Sequence, residues 1–124
     1  MPTFQFDHIH HETEDVETAI EFYKSVFGAR ADKPFERGGA TWVNVQLGDF
    51  TIVVTNRAAR SMSRERYQGF DHFAVQTDDF DGTLEMLEKK GILPWLGPLK
   101  LETGQRLVFI EAPDAMKIEI LEAL

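Results

Sequence analysis

The four histidines of this chain, His8, His10, His11 and His72, are the residues best suited to chemistry. Two of them, His8 and His72, follow the same dipeptide, Phe-Asp, because the sequence FDH occurs at residues 6–8 and again at residues 70–72. Neutral imidazole is a common metal ligand, and its ordinary pKa suits proton transfer near neutral pH. The repeated histidine therefore points to a metal site or a proton-transfer site to which both halves of the chain contribute.

The repeat extends beyond the histidines when the halves are aligned at an offset of 64 residues. The identical pairs that follow are Thr13 with Thr77, Asp15 with Asp79 and Glu21 with Glu85. A repeat of this length exceeds a solenoid unit and is typical of a duplicated supersecondary module.

Each module is predicted to begin with a strand, near residues 4–11 and 70–76, and to continue with a helix. Apolar residues at three-to-four spacing predict the helices. The predicted buried faces are Val16, Ile20, Tyr23 and Phe27 in the first helix and Phe80, Leu84 and Leu87 in the second. The predicted N-caps are Asp15 and Asp79, and the predicted terminators are Gly28 and Gly91.

Hairpins are predicted to close both modules. TWVNVQL and FTIVVT flank a Gly48-Asp49 turn, and RLVFIEA and MKIEIL flank a Pro113-Asp114 turn. Weaker strand signals lie near residues 30–35 and 92–99. The order strand, helix, then two or three strands occurs twice, joined by a polar linker at residues 57–69.

Strand alternation predicts which faces the histidines occupy. Phe73 and Val75 are expected to pack under a helix, so His72 points to the opposite face. By the repeat, His8 points the same way, and His10 shares its face. Glu119 lies between two isoleucines on the last predicted strand and adds a carboxylate. We therefore predict a shared metal site formed by His8, His72 and Glu119.

Composition excludes several classes of function. The 124 residues suit one globular domain, and the formal net charge of −8 disfavours nucleic acids and anionic membranes as partners. The chain has no Cys, which excludes disulfides, thiolate nucleophiles and Cys-based zinc sites. It shows no secretory signal and no apolar run long enough to span a membrane. We therefore expect a cytoplasmic protein.

Two segments resemble the vicinal oxygen chelate superfamily, which includes glyoxalases, bleomycin-resistance proteins, epimerases and extradiol dioxygenases. They are DHIHHETEDVETAIEFYKSVFG and LVFIEAPDAMKIEIL, and the resemblance covers nearly the whole chain. It implies an α+β fold in which two βαβββ modules, about residues 1–56 and 70–124, form a half-open barrel within a single domain of residues 1–124. It also implies one divalent metal ion.

The resemblance assigns the same metal ligands, because His8, His72 and Glu119 match the family's first-strand histidines and closing-strand glutamate. Glyoxalases and epimerases of this kind usually add a fourth ligand, Glu or Gln, on the matching strand of the first half. Val53 stands at that position in this chain and cannot bind a metal. The remaining set is a two-His-one-carboxylate triad of the kind that binds non-haem Fe(II).

Further side chains are candidates for catalysis and substrate binding. His10 either completes the ligand set or acts as a general acid or base beside the metal, and Glu119 is the other catalytic candidate. Alternation places Trp42, Asn44 and Gln46 on one face, where they are candidates for the substrate-binding wall. Trp95 is a further candidate for the mouth of the cavity, and His11 is assigned no role.

Three functions remain open at this point. The leading one is a metal-dependent lyase or isomerase of the lactoylglutathione lyase type, in which Fe, Ni, Zn or Mn acts as a Lewis acid on a small oxygen-chelating substrate. The second is an Fe(II) extradiol-type dioxygenase, although the final hairpin lacks the Tyr that such relatives carry. The third is a metal-free protein that binds a drug or metabolite. Exposed sheet edges and the family habit predict a homodimer.

Overall fold

The two copies of the repeat fold into two units, Met1–Ser61 and Met62–Leu124. The structure is a computed structural model that describes residues 3, 5–57 and 71–124. Most of the predicted linker, residues 58–69, therefore lies outside the described residues. In the described part of the chain, no helix has the length and apolar character needed to cross a membrane.

The described residues of the first unit form one helix and one sheet. Its elements are β1 (His8–Glu12), α1 (Val16–Phe27), β2 (Arg30–Ala31), β3 (Phe35–Arg37), β4 (Ala40–Leu47) and β5 (Phe50–Thr55). The strand order is β1-β5-β4-β2, and β3 also pairs with β4. β1 and β5 run parallel, while β4 is antiparallel to its neighbours. The first strand thus lies at one edge of the sheet.

The second unit repeats this plan. Its elements are β6 (Phe73–Thr77), α2 (Phe80–Lys89), β7 (Pro94–Lys100), β8 (Arg106–Ala112), a single 3-10 turn at Pro113–Ala115, and β9 (Met116–Glu122). The strand order is β6-β9-β8-β7, with β6 parallel to β9. Each unit therefore places its first strand beside its last strand, and residues from opposite ends of the module become neighbours.

The predicted helix boundaries are confirmed. Asp15 Oδ1 accepts a hydrogen bond from the backbone N–H of Thr18 at 3.1 Å, and Asp79 Oδ1 accepts one from Gly82 at 2.9 Å. Gly28 ends α1 in the left-handed conformation with φ of 67°, which a residue without Cβ adopts at little cost. Gly91 follows α2 with φ of 70°. An aspartate therefore starts each helix, and a glycine follows each helix.

The buried face of α1 differs from the prediction by about one residue. The fully buried positions are Ala19, Tyr23 and Val26, whereas Val16, Ile20 and Phe27 are half-buried. A small residue such as Ala19 lets the helix lie close to the sheet, and the buried face of the helix therefore shifts toward Ala19. Phe80 and Leu87 are buried in α2 as predicted, and Leu84 is half-buried.

The apolar sheet side chains that are at most 1% exposed lie on one face of each sheet. In the first unit these are Val43, Val45, Ile52 and Val54, and in the second they are Val108, Ile110, Ile118 and Ile120. Since side chains alternate along a strand, His8, His10, His72 and Glu119 stand on the opposite faces.

The α+β class and the repeated strand-helix-strands order are confirmed. In the first unit the weak strand near residues 30–35 is two short strands, Arg30–Ala31 and Phe35–Arg37. In the second, register shifts interrupt the pairing of β7 with β8. The single domain of residues 1–124 and the half-open barrel stay predictions.

Candidate functional site

His72 and Glu119 meet on the open face of the second sheet. His72 Nδ1 lies 2.9 Å from Asp71 Oδ2, and His72 Nε2 lies 3.0 Å from Glu119 Oε1. Each imidazole nitrogen therefore faces a carboxylate oxygen, which only accepts hydrogen bonds when ionised. If Nδ1 carries the imidazole proton, Nε2 and Glu119 are two acceptors. They can lie this close only when a proton or a metal cation is shared between them.

This arrangement fits a divalent ion of borderline softness. A histidine that ligates a metal commonly donates its second ring N–H to a carboxylate, which fixes the tautomer and the ring orientation. Asp71 is placed to accept that N–H from His72. The neutral Nε2 and the ionised Glu119 carboxylate are donor types that Zn²⁺, Ni²⁺ and Fe²⁺ accept.

Lys117 holds Asp71, the aspartate beside His72, in place. Lys117 Nζ donates to Asp71 Oδ1 at 2.7 Å. The hydrogen bond from Lys117, followed by that from His72, lowers the pKa of the Asp71 carboxyl from its usual 3.8 to about 2. Asp71 is therefore ionised throughout the neutral range. Asp71 and Lys117 are not among the residues predicted from sequence, although the Asp before each repeated His is a signal that points to Asp71.

The first unit repeats the aspartate-histidine pair. His8 Nδ1 lies 2.7 Å from Asp7 Oδ2, which leaves Nε2 as the remaining ring nitrogen. Phe6 stacks on Phe50 at the start of β5, with ring centroids 5.7 Å apart. The repeated FDH thus places a carboxylate beside the Nδ1 atom of His8, as it does for His72. Phe70, the other phenylalanine of the repeat, lies outside the described residues.

Strand register identifies Val53 as the counterpart of Glu119. His10 pairs with Val53 in the first unit, and Ala74 pairs with Glu119 in the second. His10 and Ala74 are equivalent in the repeat, since both lie two residues after the FDH histidine. The first unit therefore presents an isopropyl group where the second presents a carboxylate.

His10 lies in an aromatic and charged setting beside Val53. Its ring contacts Trp42 edge-on, with centroids 5.4 Å apart. Its Nε2 lies 2.8 Å from Glu12 Oε1, and Arg57 Nε donates to that same oxygen at 2.7 Å. The His10–Glu12 contact is close but is not aligned as a hydrogen bond, and among the described residues the buried Nε2 has no aligned partner. Nε2 of His10 thus lies beside Glu12 without an aligned hydrogen bond to any described residue.

The three predicted substrate-binding residues share the face of His8 and His10. Trp42 pairs with Thr55, Asn44 with Val53 and Gln46 with Thr51. All three are half-buried.

Two of these side chains are held by neighbours. Trp42 Nε1 donates to the carbonyl of Arg37 at 3.1 Å, which fixes the indole. The Gln46 amide accepts from Thr51 at 2.8 Å and donates to Asp32 at 3.1 Å, which fixes its orientation. Trp42 is therefore a rigid wall, and Gln46 is part of a polar network on the sheet.

The structure assigns His11 to the core and the other histidines to open faces. His11 is 1% exposed, and its Nδ1 lies 2.8 Å from the Tyr23 hydroxyl on α1. His72 and Glu119 are together in the second unit, whereas His8 belongs to the first, so its part in a common centre stays a prediction. Over residues 3, 5–57 and 71–124, no three His, Cys, Asp or Glu side chains gather into a metal-binding group.

Comparison with known proteins gives one family match. Residues 5–120 match the model of the Glyoxalase/Bleomycin resistance protein/Dioxygenase superfamily. A lactoylglutathione lyase of Arabidopsis thaliana is 28% identical over 95% of this chain and 44% of its own length. Human mitochondrial methylmalonyl-CoA epimerase is 23% identical over 89% of this chain and 68% of its own length.

Solved structures of the same family share the fold. A glyoxalase family protein from Bacillus cereus superposes with a TM-score of 0.84 at 15% identity, covering 100% of this chain and 97% of that one. The glyoxalase I of Leishmania major gives a TM-score of 0.77 at 19% identity, covering 97% and 87%. The chain spans less than half the length of the Arabidopsis relative it matches.

Proposed function

Because this chain belongs to the Glyoxalase/Bleomycin resistance protein/Dioxygenase superfamily, we propose that it is a divalent-metal-dependent enzyme acting on a small oxygen-chelating substrate. The observation that carries the proposal is the Asp71–His72–Glu119 arrangement, in which a carboxylate lies at Nδ1 and Nε2 faces a second carboxylate at 3.0 Å. The repeated Asp7–His8 pair supports it from the first unit.

The proposed ligands of the ion are His8, His72 and Glu119. Three protein ligands leave coordination positions open for two neighbouring oxygens of a substrate. When bound, a divalent ion polarises substrate oxygens and stabilises the negative charge that develops on them. The proposed cofactor is one ion of Fe, Ni, Zn or Mn.

Side chains around the ligands move protons and shape the cavity. The Glu119 carboxylate, which is 16% exposed, is one of the two groups that we assign to catalysis. His10 is the second group that we assign to proton transfer, through Nε2, which lies 2.8 Å from Glu12 Oε1 without an aligned hydrogen bond. Trp42 supplies an apolar wall, and Asn44 supplies a hydrogen-bonding amide on the same face.

Within the family we place this chain with the lyases and isomerases. The Arabidopsis relative is named a lactoylglutathione lyase and the human relative a methylmalonyl-CoA epimerase. The first name is that of a lyase, and the second is that of an epimerase, which is a kind of isomerase. The departure at Val53 removes one carboxylate from the first unit, and His10, its cross-strand neighbour, is the group we assign to the missing proton-transfer role.

A dioxygenase is the second candidate, because Val53 leaves two histidines and one glutamate as the ligand set. That triad suits Fe(II) with positions open for substrate and O₂. Phe109, the cross-strand partner of Glu119, has no hydroxyl and cannot serve as the acid-base tyrosine expected of a ring-cleaving enzyme. Because Phe109 has no hydroxyl, we rank the dioxygenase second. A metal-free binding protein is the third candidate.

Elemental analysis of the protein purified without added metal distinguishes the three candidates. We expect nickel, zinc or manganese near one ion per chain, together with turnover in a lactoylglutathione formation or breakdown assay. Iron with O₂ uptake on a catechol would establish the dioxygenase instead. Absence of metal, and no binding when each ion is added back, would overturn both enzymatic proposals and leave the binding protein.

A homodimer and a cytoplasmic location complete the proposal. β7 is an edge strand of the second sheet, and Leu96 and Leu99 on it are 42% and 46% exposed. Exposed apolar side chains along an unpaired edge favour association. A dimer would also allow His8 of one chain to meet His72 of the other, and sedimentation velocity with and without metal tests it.

A further inference from the structure

Lys117 is a buried lysine on the open face of the second sheet. It lies two residues before Glu119 on β9, and its side chain is only 9% exposed. Burying an ammonium group is costly unless it is paired and hydrogen-bonded. Lys117 meets this condition through Asp71 Oδ1, at 2.7 Å from its Nζ. The second oxygen of that carboxylate is the one that faces His72 Nδ1.

Lys117 is one of five side chains that form a closed ring of contacts. Lys117 pairs with Asp71, and Asp71 with His72. His72 contacts Phe109 edge-on at 4.8 Å between centroids, and Phe109 contacts Trp95 at 5.9 Å. The Trp95 ring centroid lies 5.1 Å from Lys117 Nζ, which closes the ring. The His72 imidazole is therefore held at Nδ1 and on its edge, while Nε2 faces Glu119.

Among the described residues of the first unit, no such ring surrounds His8. In the first sheet Thr51 pairs with His8. In the second sheet Phe73 pairs with Ile118, so the residues that precede them, His72 and Lys117, stand side by side. Thr51 is thus the counterpart of Lys117, and its hydroxyl donates to Gln46 instead. The Asp7 side chain is 92% exposed and that of His8 43%, against 40% for Asp71 and 28% for His72. The repeat has kept the aspartate-histidine pair and differs in what holds the aspartate.

We propose that Lys117 is a positioning residue that fixes Asp71, and through it the orientation and tautomer of the His72 imidazole. His72 is then a preorganised metal ligand, whereas His8, held by an exposed aspartate, adjusts to the ion. The inference rests on the proposed metal centre, and it adds a residue that acts without touching the metal or the substrate.

Calorimetric titration of the Lys117→Met variant with Zn²⁺ alone tests this role. Outer-shell partners of metal ligands typically change affinity by about 10- to 100-fold. We expect Lys117→Met to bind Zn²⁺ about 10-fold more weakly than the wild type. The sign is decisive, because removing a positive charge near a cation site would by electrostatics alone tighten binding. Unchanged or tighter binding would overturn the positioning role.

Lys100 offers a matched control for the charge change. It is an exposed lysine on β7 of the same sheet. Lys100→Met should bind Zn²⁺ as the wild type does. If the wild type itself binds no Zn²⁺, Ni²⁺ or Mn²⁺, the proposed function fails, and this result is distinct from binding that Lys117→Met leaves unchanged.

A second readout needs no metal. Crystal structures of the metal-free wild type and of Lys117→Met compare the orientation of the His72 imidazole. We expect His72 Nδ1 to lie beside Asp71 in the wild type, as it does here, and the ring to turn away from Asp71 in Lys117→Met, with His8 unaltered. The same His72 orientation in the two proteins would contradict the proposal.

If Lys117→Met does not fold, Trp95→Leu removes the aromatic wall of the lysine and keeps every charge. A cation–π contact of about 0.5–1 kcal/mol corresponds to roughly 3-fold in an equilibrium constant. We expect Zn²⁺ affinity to fall by about that factor in Trp95→Leu, and an unchanged affinity would count against the ring as a positioning device.

Discussion

His72 Nε2 lies 3.0 Å from Glu119 Oε1, although 47 positions separate the two residues in the chain. Parallel pairing of β6 with β9 produces this contact, because it places the first and last strands of the module side by side. The first unit uses the same pairing for β1 and β5 but carries Val53 at the equivalent position. The second unit therefore carries a histidine with a facing carboxylate, whereas the first carries the histidine without it.

Restoring the carboxylate in the first unit should strengthen metal binding. Val53 is half-buried and faces the same side of the sheet as His10. We expect Val53→Glu to raise affinity for Zn²⁺ or Ni²⁺ by about 10-fold, since a charged oxygen donor is added beside the ion. Calorimetric titration measures this change, and Val53→Thr, similar in size but uncharged, is the control. Equal affinities for the two variants would show that residue 53 does not face the ion.

His10 should affect turnover more than metal binding. Its Nε2 lies 2.8 Å from Glu12 Oε1. Its cross-strand neighbour Val53, the counterpart of Glu119, offers no carboxylate. We expect His10→Asn to keep metal affinity within about 2-fold and to lower kcat by about 100-fold or more, as loss of a general acid or base does. Steady-state kinetics on the metal-loaded enzyme checks the second part. A large loss of metal affinity in His10→Asn would instead make His10 a ligand.

The core pair of His11 and Tyr23 should matter for stability and not for metal binding. Their hydrogen bond of 2.8 Å is buried between β1 and α1. Tyr23→Phe removes the hydroxyl, and a buried hydrogen bond of this kind contributes about 1 kcal/mol. Urea unfolding should therefore show a free energy of unfolding lower by about that amount, with unchanged Zn²⁺ affinity. A change in metal affinity would contradict the assignment of His11 to the core.

The N-cap of α1 should make stability depend on pH in the acidic range. Hydrogen bonds from the side chain and then the backbone of Thr18 lower the pKa of Asp15. A carboxyl whose pKa is lower in the folded state stabilises the fold above its unfolded pKa, about 4, and this contribution is lost as pH falls through the folded-state pKa. Thermal unfolding should show Asp15→Ala less stable than the wild type at pH 7 and nearly equal to it at pH 2.

Glu14 supplies the control for this prediction. It is exposed and precedes the cap, so Glu14→Ala changes the charge by the same amount without removing the cap. We expect Glu14→Ala to unfold near the wild-type temperature at pH 7. A gap between Asp15→Ala and the wild type that is as large at pH 2 as at pH 7 would show that the cap acts by something other than its ionised carboxylate.

The elements that local sequence determines were predictable. Asp15 and Asp79 cap the helices because a short carboxylate reaches the backbone N–H groups of the first turn, and this depends only on neighbours in sequence. The shared face of His8 and His10 follows from strand alternation in the same way. The buried stripe of α1 was displaced because tertiary packing, and not periodicity, decides how close Ala19 lies to the sheet.

The support of the site was not predictable, because it comes from contacts across strands. Lys117 and Trp95 meet only through the pairing of β7, β8 and β9, and register shifts interrupt the β7–β8 ladder. Alternation within a strand excludes a one-residue slip but does not locate the register shifts of this ladder. Asp71 was within reach of sequence reasoning, because the repeat places an aspartate before each of the histidines His8 and His72.

Calorimetric titration with Zn²⁺ decides whether His8, His72 and Glu119 bind one divalent ion. Metal-free wild-type protein and the variants His8→Ala, His72→Ala and Glu119→Ala are titrated under the same conditions. We expect one ion per chain in the wild type and at least 10-fold weaker binding in each variant. No binding by the wild type, or undiminished binding by any of the three variants, would contradict it.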